Sequence, residues 1–588
     1  MRTGWYLRRM LISAMLYGGL SDASTIWNSF GDYICDDLPR YLDRHGLTWS
    51  DEIDRPDRDY GLYLISRELA HEERSLDQFK LPPFANEWDH EQGNPLIRLE
   101  LDYDPQSLAE SASARESCLY DDQRFASDSI IRHMESDPTN SIFFLHGPGG
   151  TGKTFLYVAL CERLRSERKI VLCVASTGIA ALLLPGGRTA HKRFRIPFDL
   201  SEESSCFIQR RTQLADLLCQ TSLIIWDEAT MTSRVIYDAV SSTLQDIRSH
   251  LPGGACAFGG IPTVLGGDFQ QILPIVRHGN RADSVQACLQ FAKVWPNLIH
   301  LRLRRNMRLS NATLENHMFA TWLNKLSFDP AMNGDIGIPE YIHRASNDSE
   351  FLDRIYPKEA LHNAHDNPGF FVGRAILSTR NVDVNELNKV LLDKLSGTAH
   401  TFDSFDHADL NDNALGREEM TAEYLRSLTV ASLPLGTLQL RIGAPLMLMR
   451  NLDPQHGLCN GTRMTLLRAS RHCLDVRLSG GQFDGQCRLI YRCSLSTSED
   501  LAFHLTRTQF PVKLAFAMTI NKSQGQSLDH VGIDLRRQVF THGQLYVALS
   551  RTTDVNRLSI LLSPENFEEK IKNEVYPEVL TFLKNFSE

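Results

Sequence analysis

The chain sets short, mainly apolar runs against stretches of helical spacing. Ser141–His146, Ile170–Ala175, Leu223–Trp226 and Ile261–Leu265 are four such runs, each of the length expected for a strand buried on both faces. Between the first two, Phe155–Arg165 places Leu156, Ala159, Leu160 and Leu164 on one helical face. Strands alternating with helices predict a parallel sheet with crossover helices. A second α/β unit opens at Ala375–Thr379, follows with a helix over Val382–Lys394, and resumes at Val512–Ile520. Between its two halves the apolar period changes to two, over Leu438–Gly443, Arg463–Leu467 and Cys473–Leu478. Asn460-Gly461 and Gly480-Gly481 supply the turns, so a small β module inserted over 435–500 is expected.

The first 115 residues carry no catalytic pattern. Helical spacing over Trp5–Leu20, Thr25–Leu42 and Asp59–Leu69 alternates with acidic, proline-containing loops, and Pro82-Pro83 and Glu110–Ala114 read as linker. Arg2, Arg8 and Arg9 precede an apolar segment, which could be a targeting peptide. The preferred reading is an amphipathic helix with Trp5, Leu7, Leu11, Ile12, Met15 and Leu16 turned inward. The predicted divisions are therefore a mainly helical segment (1–115), a first ATPase domain (116–310), a connector (311–370) and a second α/β domain (371–588).

Composition narrows the class. The 588 residues are 42% hydrophobic and 23% charged, an ordinary globular balance for three or four domains. A net charge of −10 excludes a uniformly basic coat but not a local basic groove. The 12 cysteines form no C-x-x-C pair, which fits a reduced intracellular compartment and gives no zinc ribbon. No apolar run nears the roughly 20 residues that span a membrane.

Gly147-Pro148-Gly149-Gly150-Thr151-Gly152-Lys153-Thr154 fits the phosphate-binding loop and stands between a strand and a helix. Its glycines let successive N–H groups face the β- and γ-phosphates of a nucleotide, and the helix N-terminus adds to that field. Lys153 supplies a point charge, and Thr154 a hydroxyl for Mg²⁺. Asp227, ending a strand, is the second Mg²⁺ ligand, and Glu228 is placed to polarise the attacking water. Gln123, just ahead of the loop unit, has an amide suited to the adenine edge, with solvated surface as the plainer alternative. Gln271 is a neutral donor that could sense a γ-phosphate. Arg551, in the second unit, is what a cleft ATPase needs opposite its loop. Thr177, at a strand's carboxyl end, suits a polyanion backbone or an ordinary helix cap. Downstream, His191, Lys192, Arg193 and Arg195 interleave with Phe194 and Phe198, charge and stacking surface as a single-stranded nucleic acid requires.

Taken in order, Gly147–Thr154, Val174–Pro197, Leu223–Met231, Gly266–Ile275, Asn306–Arg308, Gly443–Thr462, Gln509–Leu528 and His542–Arg551 resemble the Pif family of superfamily-one DNA helicases. More narrowly they resemble the helicase half of Helitron-type transposon proteins. The resemblance spans roughly 115–565. It implies two RecA-like domains with ATP between them and an SH3-like module inserted in the second. It implies γ-phosphate contacts from Gln271, Arg308 and Arg551, and a DNA strand along Thr177, His191, Thr519, Lys522 and Ser523. The implied activity is ATP-dependent unwinding, 5′ to 3′, on single-stranded DNA and single/double-strand junctions, with ATP and Mg²⁺. The implied setting is genome maintenance (repair, recombination, telomere maintenance) in the nucleus, with the mitochondrion as the other compartment. Tyr120 and Asp122 stand where the family's glutamine motif has Asn and Glu. No upstream His-x-His metal pair is present, so transposition is not expected of this chain. The rival reading is a DNA-binding relic without turnover.

Overall fold

The computed structural model describes residues 3–584 apart from 46, 71–73, 87, 89–93, 198, 278, 308–312, 410–420, 431, 498–502 and 567–569. Helices α1 (Thr3–Tyr17), α2 (Ser24–Ile34), α3 (Leu38–His45) and α4 (Pro56–Ala70) form an N-terminal unit. Its core holds Leu11, Ile12, Met15, Trp27, Ile34, Leu42, Ile65 and Leu69. Asp59 knits it by accepting from Ala85 N (2.7 Å), Asn86 N (3.0 Å) and the Trp88 indole (2.7 Å). The expected first helix is thus present, with Leu11, Ile12 and Met15 buried.

Helices α5 (Pro95–Leu101) and α6 (Pro105–Ser117) belong elsewhere than expected. Leu96, Ile97 and Leu101 pack on the core of the first α/β domain, and Arg115 binds Glu162 at 2.9 Å. Glu110–Ala114, read as linker, is therefore helical, while Pro82-Pro83 is not, and the division drawn at 115 falls inside the first domain's packing. Next come α7 (Asp121–Ser136), β1 (Ile142–His146), α8 (Lys153–Ser166), β2 (Ile170–Ala175), α9 (Gly178–Leu182), β3 (Arg188–Thr189) and α10 (Ala190–Phe194). With β4 (Thr221–Asp227), β5 (Thr263–Gly267) and β6 (Ile299–Arg302) they build a parallel sheet in the order β3-β2-β4-β5-β1-β6. Both faces of β1, β2 and β5 are buried, which is why these strands read as unbroken apolar runs.

The second domain is a parallel sheet of Ala517–Thr519, Arg374–Ser378, His530–Leu535, Leu558–Leu562 and His343–Ala345, in that spatial order. Its edge strand comes from the stretch expected to be a connector. The two sheets make the molecule a RecA-like α/β protein. The inserted β structure is wider than 435–500: His400–Asp403 pairs with Thr437–Leu440, and Phe405–Asp409 pairs with His504–Gln509. Two of the alternating stretches found in the sequence, Arg463–Ala469 and Cys473–Ser479, lie in its antiparallel five-stranded sheet, which runs from Cys487–Tyr491 to Val512–Leu514, while the third, Thr437–Leu440, pairs outside it. The chain then recrosses. Val575, Val579, Leu580 and Leu583 end in the core of the first domain, not the second, and Phe582 stacks edge-on to Phe269 at 5.1 Å.

Arg507 locks the insertion. Its side chain is wholly buried with Asp406 at 2.9 Å, and it also donates to the carbonyls of Leu425 (2.6 Å), Pro434 (2.9 Å) and Leu428 (3.2 Å). Removing one member of such a pair strands the other charge in a dry site. Arg507→Ala is expected to cost about 3–5 kcal/mol, and Arg507→Met with Asp406→Leu much less. Urea unfolding of the three proteins checks this; an Arg507→Ala midpoint equal to wild type would contradict it.

Candidate nucleotide cleft and nucleic-acid groove

Residues 147–154 leave the end of β1 and turn into α8. Gly150 and Gly152 have φ of +89° and +76°, a region that only glycine enters freely. A Cβ at Gly149 would meet nothing within 4 Å, so the loop offers an open backbone cradle. Thr151 Oγ1 donates to Pro148 O at 2.8 Å, and Lys153 Nζ folds back on Gly147 O. Thr154 stands in the first turn of α8.

Gln123 is not turned outward to meet a base. It is buried, and its amide donates to Thr151 O and Gly152 O, each at 3.2 Å. Tyr120, the departure in this motif, donates its hydroxyl to Thr151 O at 3.1 Å. The start of α7 therefore braces the loop from beneath, and the expectation of a solvated or adenine-facing Gln123 is corrected.

Three carboxylates converge across from the loop. Asp227 ends β4 and accepts from Glu228 N at 2.9 Å, and Glu228 itself has φ of +53°. Burial, then the Glu228 charge, pushes the Asp227 carboxyl up to about 7 against the pull of Lys153. Asp268, to which the sequence assigned no role, is also raised by burial and also feels Lys153. It accepts from the Gln271 amide at 3.1 Å. Among the described residues, Glu228 Oε2, Gln271 Oε1 and both amide atoms of Gln270 are buried without a hydrogen-bond partner. Among the described residues no three carboxylate, histidine or cysteine side chains stand close enough to hold a metal ion on their own, so a divalent cation here would take Asp227 and the Thr154 hydroxyl and fill its remaining positions with phosphate oxygens and water.

The second domain closes this wall. His542 Nε2 donates to Phe269 O at 2.8 Å, and its Nδ1 accepts from Tyr576 N at 2.8 Å. Tyr546 is buried in the same wall, and burial, then the Asp268 charge, raises its hydroxyl well above the usual range. Arg551 is buried; it donates to Val547 O (2.8 Å), Gln526 O (2.9 Å), Ser523 O (3.3 Å) and Ser550 Oγ (2.9 Å). Its bond to Val547 O ties off the end of its own helix, Gln544–Leu549, and the nearby Asp554 pairs with Arg557 at 3.2 Å. Arg308 and Phe198 lie outside the described residues.

A second concavity, of about 530 Å³, runs between both domains and the insertion. Thr177, His191, Lys192 and Lys522 line it together with Asn451, Asn460 and Gln524. Thr177 Oγ1 accepts from Ala180 N at 3.2 Å, so it does cap α9. Thr519 stands half-buried just before the Ile520–Ser523 turn that carries Lys522. Ser523 is fully buried and donates to Ile520 O at 2.7 Å, which turns its hydroxyl away from the groove. Arg193 is not a groove cation: it is buried on Glu100 at 2.7 Å. Asn451 and Asn460 were missed because Asn460-Gly461 signals only a turn. Their link is the Asn460 N to Asn451 Oδ1 bond at 2.8 Å. Ser176, also on this wall, donates to Glu228 O at 2.7 Å and so joins the groove to the carboxylates.

A phosphate loop on one RecA-like domain, faced by a second that reaches its backbone, defines a two-domain P-loop protein. Comparison with known proteins shows what the chain is similar to. The PIF1-like helicase profile matches residues 118–332, that of the DNA helicase Pif1 2B domain matches 423–468, and a helicase profile matches 494–587. The ATP-dependent DNA helicase PIF1 of Xenopus laevis is 28% identical over 75% of this chain and 61% of its own length. The human protein of that name is 28% identical over 72% and 58%. The chain thus spans about three fifths of these relatives. The crystal structure of Pif1 helicase from Candida albicans covers 80% of this chain and 99% of its own at a TM-score of 0.55 and 23% identity. A Bacteroides Pif1 solved with ADP-AlF3 and ssDNA covers 78% and 96% at 0.54 and 22%. Over residues 118–332 the chain matches the PIF1-like helicase family, and it is similar to PIF1 helicases over about three quarters of its length. Among the described residues, no helix is long and apolar enough to cross a membrane.

His542 yields a pH prediction. Burial lowers its pKa from 6.5 to about 4, so the folded ring stays neutral where the unfolded ring takes a proton. Its contribution is full above about 6.5 and is lost as pH falls toward 4. The stability difference between wild type and His542→Ala is therefore expected to be larger at neutral pH than near pH 5. Urea midpoints at both values test this, and a difference independent of pH would contradict it.

Proposed function

We propose that the chain is an ATP-dependent DNA helicase that moves along single-stranded DNA. The observation that carries this reading is the Ser176–Glu228 bond, which ties a groove lined by Lys192 and Lys522 to the carboxylates of a phosphate-loop cleft. The names of the family relatives support it. Lys153 and the N–H groups of the loop bind the β- and γ-phosphates. Thr154 and Asp227 hold Mg²⁺, which when bound neutralises charge on the phosphates. Glu228 takes the proton of the attacking water, and Gln271 reads the γ-phosphate from its seat on Asp268.

Arg551 reaches a γ-phosphate only by exchanging its carbonyl partners, so its contribution depends on domain closure. Lysine lacks the planar fork for this exchange. Thr177, His191, Lys192, Thr519 and Lys522 follow the strand, and Asn451 and Asn460 bring the insertion, read as SH3-like, to the same path. The reading extends, by the resemblance, to 5′-to-3′ movement, to single/double-strand junctions, and to genome maintenance in the nucleus.

Two substitutions test the cleft. Glu228→Gln is expected to bind ATP and DNA while turnover falls by roughly 10²-fold or more, and Lys153→Ala to lose turnover with an unchanged melting temperature. ATPase assays with nucleotide-binding titrations check both. A Glu228→Gln protein that cannot bind nucleotide, or a Lys153→Ala protein that keeps turnover, would contradict the assignment.

A further inference from the structure

A cleft of about 750 Å³ lies in the N-terminal unit, between α1, α3 and α4. None of the family profiles reaches it. Three acids line it, and each already has a partner. Asp37 holds Arg8 at 2.6 Å, Asp36 accepts from Gly4 N at 2.7 Å, and Glu68 meets Arg9 at 3.4 Å. Arg40, Arg44 and Arg67 also line it, are exposed, and make no salt bridge among the described residues. In a chain of net charge −10 this is a local cationic mouth.

The same wall carries flat aromatic surface. Tyr41 is 43% exposed and lies near-parallel to Tyr60, with centroids 5.8 Å apart and planes 19° apart. Arg40, Tyr41 and Arg44 follow one another on α3, and Tyr60 and Arg67 sit seven residues apart, two turns, on α4. Guanidinium groups beside an exposed ring are the two contacts a flexible polyanion with bases requires: charge for phosphate and a face for stacking. An acidic protein surface would use the arginines and leave the ring without a role.

The cleft is also placed next to the motor. Arg9, on its rim, binds Asp453 of the insertion at 2.8 Å, and Trp5 packs edge-on to His456 at 5.7 Å. Asp453 is two residues beyond Asn451, which lines the groove between the domains.

We propose that this cleft is a second binding site for single-stranded nucleic acid, which holds the strand beyond the segment engaged by the motor groove. The proposal rests on the DNA-motor reading above. The insertion loop 451–461 is then the shared wall, one side facing the motor and the other anchoring the accessory site.

The test uses the full chain and two fluorescent single-stranded DNA oligonucleotides. One, of roughly eight nucleotides, fills one groove; the other, of roughly thirty, reaches both. In Arg40→Glu combined with Arg44→Glu, affinity for the long strand is expected to fall by about tenfold or more. Its salt dependence should become shallower by about 1.4 in log–log slope, about 0.7 for each phosphate no longer neutralised. Affinity for the short strand and ATP turnover without DNA should be unchanged. Arg40→Lys with Arg44→Lys should restore most of the long-strand affinity, and Tyr41→Ala should weaken it without changing the salt slope. Unchanged long-strand binding in the Glu variant, as for a cleft that takes an acidic protein, would overturn the proposal. So would an equal loss for both strands. Wild-type protein that binds neither strand would refute the motor reading itself.

Discussion

The loop that follows β5 is the constraint on which the rest depends. Asp268–Gln271 carries a buried acid and two amides within reach of the phosphate loop, and such groups hold position only if their backbone is fixed. Three parts of the chain fix it. His542 of the second domain takes the Phe269 carbonyl at 2.8 Å, Tyr546 of the same domain is buried where the Asp268 charge acts on its hydroxyl, and Phe582 of the C-terminal tail packs on the Phe269 ring. Nucleotide chemistry on one domain and movement of the other are joined through this seam. A buried histidine held neutral suits the post, because it donates and accepts at once without carrying charge into a dry interface.

Much of this was legible in the sequence wherever the signal is local. Wholly apolar strands, the glycine-rich turn and the two acids closing β4 all follow from burial and from loop chemistry over a few residues. What could not be read is long-range. Arg193 stands in a cationic run and looks like a contact to nucleic acid; its partner Glu100 is 93 residues away, and nothing near Arg193 announces it. Gln123 has an amide suited to a base, yet the same amide serves two loop carbonyls. Val575, Val579 and Leu583 have helical spacing, but spacing does not say which core they enter. His400–Asp409 pairs with strands over 30 and 95 residues further on, so the extent of the insertion was set by register, which is not a local property.

The electrostatics are arranged locally within a chain of net charge −10. Acids are gathered at the cleft, where a lysine and a divalent cation would balance them. Cations line the groove and the N-terminal cleft, and the loop 451–461 lies between the two. Buried pairs such as Arg193–Glu100 and Arg507–Asp406 withdraw further arginines from the surface and use them to hold the fold. A count of basic residues is therefore a poor guide to where a polyanion would lie, and burial decides it.

The central claim is that the groove and the cleft act on one another. Its most direct test is the rate of ATP turnover by the full chain as single-stranded DNA is titrated, with blunt duplex as the control. The account predicts a rate that rises with single-stranded DNA, saturates, and responds far less to the duplex. A substantial rate that is indifferent to single-stranded DNA would contradict it.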